Sequence, residues 1–163
     1  MTLITSLAFY GQEKLEYIDY DDILEKIEVL SEKEDYDKII EHLEKINTND
    51  SLYESFLVTK SYYLLKKEAY QEAIKVSDKG LKIHNGANRY SFLLNKGVAF
   101  LRSERYQEAL RVCNEAMLEY PKNYVLFYNR GIIHEKLDMF DKAIKDYIQA
   151  IELNPFYANA HLQ

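Results

Sequence analysis

Residues 124–157, YVLFYNRGIIHEKLDMFDKAIKDYIQAIELNPFY, coincide column by column with the residues one 34-residue period earlier. Gly97 falls on Gly131, Tyr106 on Phe140, Ala109 on Ala143, Ala116 on Ala150 and Pro121 on Pro155. The chain has only two prolines, and they stand one period apart. Self-similarity at a period of this size marks an architecture in which each unit buries its apolar face against the next. A chain built this way grows by stacking.

Residues 54–89 repeat the scheme with Ser61, Tyr70, Ala73 and Gly80, and a two-residue insertion falls in the HNGANR connection, where Asn85-Gly86 is a turn signal. Residues 20–53 follow it loosely. There Ile23, Ile27 and Leu30 form one apolar face, and Tyr36, Ile39, Ile40, Leu43 and Ile46 form the next. Ile27, Ile39 and Ile46 occupy columns that are glycine, alanine or serine further on, so a wider first hairpin is predicted. In the last copy Phe140, Ala143, Ile144, Tyr147, Ala150 and Ile151 read as a single helical stripe, with Phe127, Gly131 and His134 facing the same seam. Glycine inside a helix costs about 1 kcal/mol against alanine. Close approach of the paired helices is therefore expected at Gly97 and Gly131.

Composition agrees with helices throughout: 163 residues make one domain, 47% are apolar, and five glycines are too few for a turn-rich sheet protein. Charge is unevenly placed. Residues 1–54 carry 15 acidic and 5 basic side chains, net −10, whereas 55–163 carry 12 acidic and 16 basic, net +4. An acidic end on a mildly basic body argues against general nucleic-acid binding and permits attraction between molecules. No stretch reaches the roughly 20 apolar residues of a membrane span. Residues 1–11 are apolar and uncharged. They read either as the end of a secretory signal whose charged start lies upstream, or as an apolar strip packed on the first helices.

Signals for chemistry are weak. His42, His84, His134 and His161 are dispersed without a second ligand at metal spacing, and the lone Cys113 occupies the column of Tyr147 and reads as a small buried hydrophobe. Asp21-Asp22 opens a helix, where acids answer unpaired amides. No phosphate loop, nucleophile elbow or zinc motif occurs. The expectation is a protein without catalytic residues, metal site or cofactor.

The recurring columns of small residue, aromatic, alanine, alanine and proline resemble those of the tetratricopeptide repeat, a helix-turn-helix unit of 34 residues. The likeness covers residues 54–157 well and 20–53 weakly, and departs from the family at Gly80, where alanine is usual, and at Asn85, which replaces the proline. It implies an all-α, right-handed superhelical solenoid of antiparallel helix pairs, three clear units and one divergent N-terminal unit. The expected division is 1–19 as apolar segment and linker, 20–157 as the repeat domain (20–53, 54–89, 90–123, 124–157), and 158–163 as the start of a further or capping helix. The first helices would line a concave groove for a partner's peptide or helix. Column by column, that groove would comprise Val58, Leu94 and Tyr128; Tyr62, Val98 and Ile132; Leu65, Leu101 and Glu135; and Lys66, Arg102 and Lys136. These residue types are also ordinary at such positions. A second basic column, Lys60, Lys96 and Arg130, lies six residues earlier and faces elsewhere at 100° per residue. Family members that grip a terminal carboxylate use lysine, asparagine and arginine at set groove columns. Here those places hold Leu24 and Glu28, or Val58 and Tyr62, and only Asn95 fits, so a carboxylate clamp is not expected.

The expected function is an interaction scaffold whose apolar, basic-edged groove takes a protein or peptide with acidic residues. The alternatives are a regulatory or targeting domain of a larger enzyme or sensor, or a self-associating module. Because a solenoid needs a polar cap, the C-terminal end should expose the apolar side of the fourth repeat, which makes a homodimer through that end a further expectation. Location is cytoplasmic by default, or exported or periplasmic if residues 1–11 end a signal peptide.

Overall fold

The computed structural model describes residues 20–46, 52–83 and 87–156. The segment 1–19, the Asn85-Gly86 turn and the tail 158–163 lie outside them. Among the described residues the elements are all helical: α1 (Tyr20–Glu32), α2 (Tyr36–Glu44), α3 (Tyr53–Lys66), α4 (Tyr70–Gly80), α5 (Arg89–Arg102), α6 (Tyr106–Glu119), α7 (Tyr124–Lys136) and α8 (Phe140–Leu153). They form a right-handed superhelical solenoid of antiparallel pairs.

One device closes every pair. Glu34, Glu68, Glu104 and Asp138, one per repeat at the same column, take positive φ of 53–63°. Behind each, an amide reaches back to the carbonyl five residues earlier, as from Ala69 to Leu64 at 2.8 Å and from Met139 to His134 at 2.8 Å. This is the left-handed helix stop that glycine usually supplies. Here acidic residues hold the conformation. The sharp reversal sets the second helix of each pair back along the first.

The direction of stacking follows from which helices meet. The first helices α3, α5 and α7 approach one another in sequence, whereas no two second helices do so among the described elements. The stack therefore bends toward its first helices, which form the inner layer. At the N-terminal pair the backbone of α1 comes close to α2 alone. Its tie to α3 is through side chains, with the rings of Tyr20 and Phe56 stacked at 5.7 Å. Ile27, Ile39 and Ile46 are all buried there, in a core separate from the one that runs from α3 to α7.

Close approach within pairs has a more particular cause than glycine alone. A Cβ on Gly131 would come within 2.5 Å of the Tyr147 ring, so glycine is required there because tyrosine lies across it. A Cβ on Gly97 would meet only Val112, at 3.8 Å, an ordinary contact. The expectation of a tight crossing at Gly97 is thus incorrect: its partner across the seam is the small Cys113, in the column of Tyr147. Tightness appears instead between repeats, at Gly80 of α4, where a Cβ would stand 2.2 Å from the fully buried Phe92 ring of α5. In the next repeat the same two columns hold Ala116 and Leu126, a larger residue facing a smaller one. The pair exchanges volume as a unit.

The substitution Gly80→Ala should therefore destabilise the protein by about 1–3 kcal/mol through overpacking, despite alanine's better helix propensity. Combined with Phe92→Leu it should recover most of that loss, since the double variant reproduces the Ala116–Leu126 solution. Urea unfolding of the four species of this cycle measures the coupling. Additive effects would contradict a shared-volume pair.

Candidate functional site

The twelve residues expected to line the groove come from α3, α5 and α7, and none is buried. Val58, Leu65, Leu94, Val98, Leu101, Tyr128 and Ile132 are partly covered, while Tyr62, Lys66, Arg102, Glu135 and Lys136 are exposed. Tyr62 sets its ring edge-on to Tyr63 at 5.2 Å and carries Lys66 Nζ 5.6 Å from its centroid. Tyr128 leans on Tyr147, ring centroids 5.9 Å apart. The Tyr147 hydroxyl in turn donates to Glu135 at 2.8 Å, and burial, then this bond, pushes the phenol well above its usual range. Glu135 is thereby tied to the second helix of its own repeat. Asn95, the one residue that fits a carboxylate clamp, is buried and spends its amide on Ser61 Oγ at 2.6 Å, joining α5 to α3.

The two basic columns have different roles. Lys60 reaches Glu44 at 2.8 Å, Lys96 reaches Asp78 at 2.5 Å, and Arg130 reaches Asn114 at 3.1 Å. Each bond runs from a first helix to the second helix of the preceding repeat, at matching columns. This ladder stitches repeat to repeat. Lys66, Arg102 and Lys136 instead stand in the last turns of α3, α5 and α7, where cations answer the exposed carbonyls. Among the described residues no carboxylate lies within ion-pair distance of them.

Between α5 and α7 the groove floor dips into a small apolar notch lined by Leu94, Gly97, Val98, Leu101, Cys113 and Ile133, with Asn129 at its rim. The notch exists because Gly97 faces Cys113. In the next repeat the Tyr147 ring fills the equivalent space over Gly131. Column-by-column transfer picked up Leu94, Val98 and Leu101 but missed Gly97, Asn129 and Ile133. The legible signal was the pairing of two small residues where the neighbouring repeat pairs glycine with tyrosine.

Cys113, His134 and Asp146 are the residue types of a nucleophilic triad, but their geometry is structural. The thiol donates to the Leu126 carbonyl at 3.4 Å, and burial pushes it up to about 12, opposite to the activation a nucleophile needs. Asp146 is buried and accepts from Arg130 Nε at 2.9 Å, Arg130 Nη2 at 2.7 Å and His134 Nδ1 at 2.8 Å. The previous repeat has Phe100 and Val112 at the columns of His134 and Asp146, both in the apolar core. Among the described residues no group of three or more His, Cys, Asp or Glu is placed to hold a metal ion.

Because the charge pair of Asp146 is buried, Asp146→Ala should destabilise by about 3 kcal/mol, leaving Arg130 and His134 without their acceptor. The double change His134→Phe with Asp146→Val, which restores the preceding repeat's apolar pair, should be better tolerated than Asp146→Ala alone. Chemical denaturation followed by far-UV circular dichroism decides the order.

Helix pairs stacked around an inner layer with an open surface define an all-helical repeat solenoid. The tetratricopeptide repeat family model matches residues 124–157, so the fourth unit is such a repeat and the chain has the fold of that family's solenoids. Among solved structures, MamA (41-end) from Desulfovibrio magneticus RS-1 is 20% identical with a TM-score of 0.69, covering 83% of this chain and 75% of its own. A tetratricopeptide repeat protein from Parabacteroides merdae is 21% identical with a TM-score of 0.69, over 84% of this chain and 54% of its own. YrrB, a tetratricopeptide repeat protein with an unusual peptide-binding site, is 17% identical with a TM-score of 0.67, over 86% and 72%. These likenesses establish the fold. No curated protein matches the chain in sequence. No described helix is long and apolar enough to cross a membrane.

Proposed function

We propose that the inner surface of α3, α5 and α7 binds an extended or helical segment of a partner protein, apolar along one side and acidic along the other. The observation that carries this reading is the contrast between the basic columns: Lys60, Lys96 and Arg130 are bonded to the preceding repeat, whereas Lys66, Arg102 and Lys136 stand exposed beside the apolar strip with no carboxylate at ion-pair distance among the described residues. Three cations in register along one edge would steer and align an acidic chain. No catalytic step is assigned to this surface.

A fluorescein-labelled peptide of alternating leucine and glutamate is the direct probe. Reversing the edge with Lys66→Glu, Arg102→Glu and Lys136→Glu should weaken its binding about tenfold or more, each exposed pair being worth up to about 1 kcal/mol. The same binding should weaken as salt is raised. Adding Tyr128→Ala should weaken it further without lowering the melting temperature appreciably. Fluorescence polarisation reads all three, and affinity untouched by the charge reversals would remove the groove from consideration.

A further inference from the structure

The uneven charge of the chain reappears within the groove. The first hairpin, α1 and α2, lies in the part of the chain that is strongly acidic, and it presents the same columns as the later repeats. Ile23, Leu57 and Leu93 are buried at one column and Ile27 and Ser61 at another, so α1 turns the same face to the core as α3 and α5. The groove columns therefore continue onto α1. Leu24 stands in the column of Val58, Glu28 in that of Tyr62, and Glu32 in that of Lys66. The basic edge thus begins with an acid.

The apolar strip also runs on, since Leu24 is 53% exposed. Glu28 and Glu32 are exposed, and among the described residues no cation lies within ion-pair distance of either. Two lysines of the same hairpin are engaged elsewhere, Lys26 with Asp22 at 2.6 Å and Lys38 with Asp35 at 2.6 Å. Glu32 is moreover placed against its own helix. It is the last residue of α1, whose final turn holds no basic side chain, so its carboxylate faces the unpaired carbonyls and the negative end of the dipole. Lys66, Arg102 and Lys136 stabilise their helices by the interaction that Glu32 opposes. Helix stability accounts for a cation at this column and not for an anion. A cation brought by a ligand would neutralise it.

From this continuity we infer that the segment bound in the groove has a fixed charge order: a basic end over Glu28 and Glu32, then acidic residues over Lys66, Arg102 and Lys136. The inference rests on the groove reading above and adds a direction to it. A segment acidic throughout would bring like charges together at α1, and a segment laid in reverse would do so at both ends. Repulsion of the wrong orientation supplies selectivity that the apolar strip lacks.

The test uses the full chain and three fluorescein-labelled peptides followed by fluorescence polarisation. One is the alternating leucine and glutamate segment ending in two serines; the others carry two arginines instead, at the N-terminal or at the C-terminal end. One arginine peptide should bind about fivefold or more tighter than the serine peptide, an exposed pair being worth up to about that factor. Its oppositely tagged counterpart should not. Glu28→Gln with Glu32→Gln should abolish the gain, whereas the same loss of charge on α8, Asp141→Asn with Glu152→Gln, should leave it. Glu28→Lys with Glu32→Lys should transfer the preference to a peptide ending in two glutamates. These positions are exposed, so the far-UV spectrum should stay that of the native protein. Equal affinity for the three peptides, a gain shared equally by both arginine peptides, or a gain that survives Glu28→Gln with Glu32→Gln overturns the charge order. The groove itself still stands in those cases if the serine peptide loses affinity on Lys66→Glu, Arg102→Glu and Lys136→Glu. A serine peptide indifferent to those reversals overturns the groove and the order with it.

Discussion

Everything in this solenoid depends on how closely neighbouring helices can approach, both within a pair and from one repeat to the next. A second helix that sits back from the first would neither seal the core beneath it nor offer its far side at the right height to the next repeat. The chain meets this requirement with complementary volumes at facing columns. Within the fourth pair Gly131 lies under Tyr147, and between repeats Gly80 of α4 lies under Phe92 of α5 while Ala116 of α6 is matched to Leu126 of α7. Where both facing residues are small, as at Gly97 and Cys113, the pair still closes because the surrounding Leu93, Val112 and Ile133 are buried, and the leftover space opens toward the groove as a notch. Packing tolerance in one repeat thus becomes surface shape.

The same economy governs charge. A basic residue on a first helix can point backward to the preceding repeat or stay at the helix end beside the groove, and six residues decide between the two. At 100° per residue that offset turns the side chain by about 240°, so Lys60 and Lys66 serve different faces of one helix. The backward-facing column is partly covered and bonded, so removing a cation there would strand its acceptor. The outer column is exposed and held only by the helix-end carbonyls and, at Lys66, by a tyrosine face.

Much of this was legible in the sequence. Period, helix content and the aromatic and alanine columns followed from residue spacing, because backbone periodicity projects directly onto burial. What periodicity does not carry is pairwise compensation. Gly97 and Gly131 are identical in a column yet have different reasons, since the reason lies in a residue sixteen positions away. The apolar run of the last helix read as a single stripe for a similar cause. In space it divides, Ala143 and Ala150 turning to α7 and Phe140, Ile144 and Ile151 turning outward. The left-handed acids between helices also escaped notice, because glycine is the usual marker of that conformation and none is present.

The fourth repeat fits the family pattern best and yet departs most from its neighbours in chemistry. Its family columns, Gly131, Phe140, Ala143, Ala150 and Pro155, are intact. Between them it replaces an apolar core pair with His134 and Asp146, joins Arg130 to that carboxylate, and substitutes Ile148 for the polar acceptor of the inner repeats. These changes act in one direction. Arg130 is bound to its own repeat as well as to Asn114 before it, so the polar stitching ends in a closed knot inside α7 and α8. The outward face of α8 then presents Phe140, Ile144, Ile148 and Ile151 beside the exposed charges of Asp141, Lys145 and Glu152, and none of these is needed to hold α7 and α8 together.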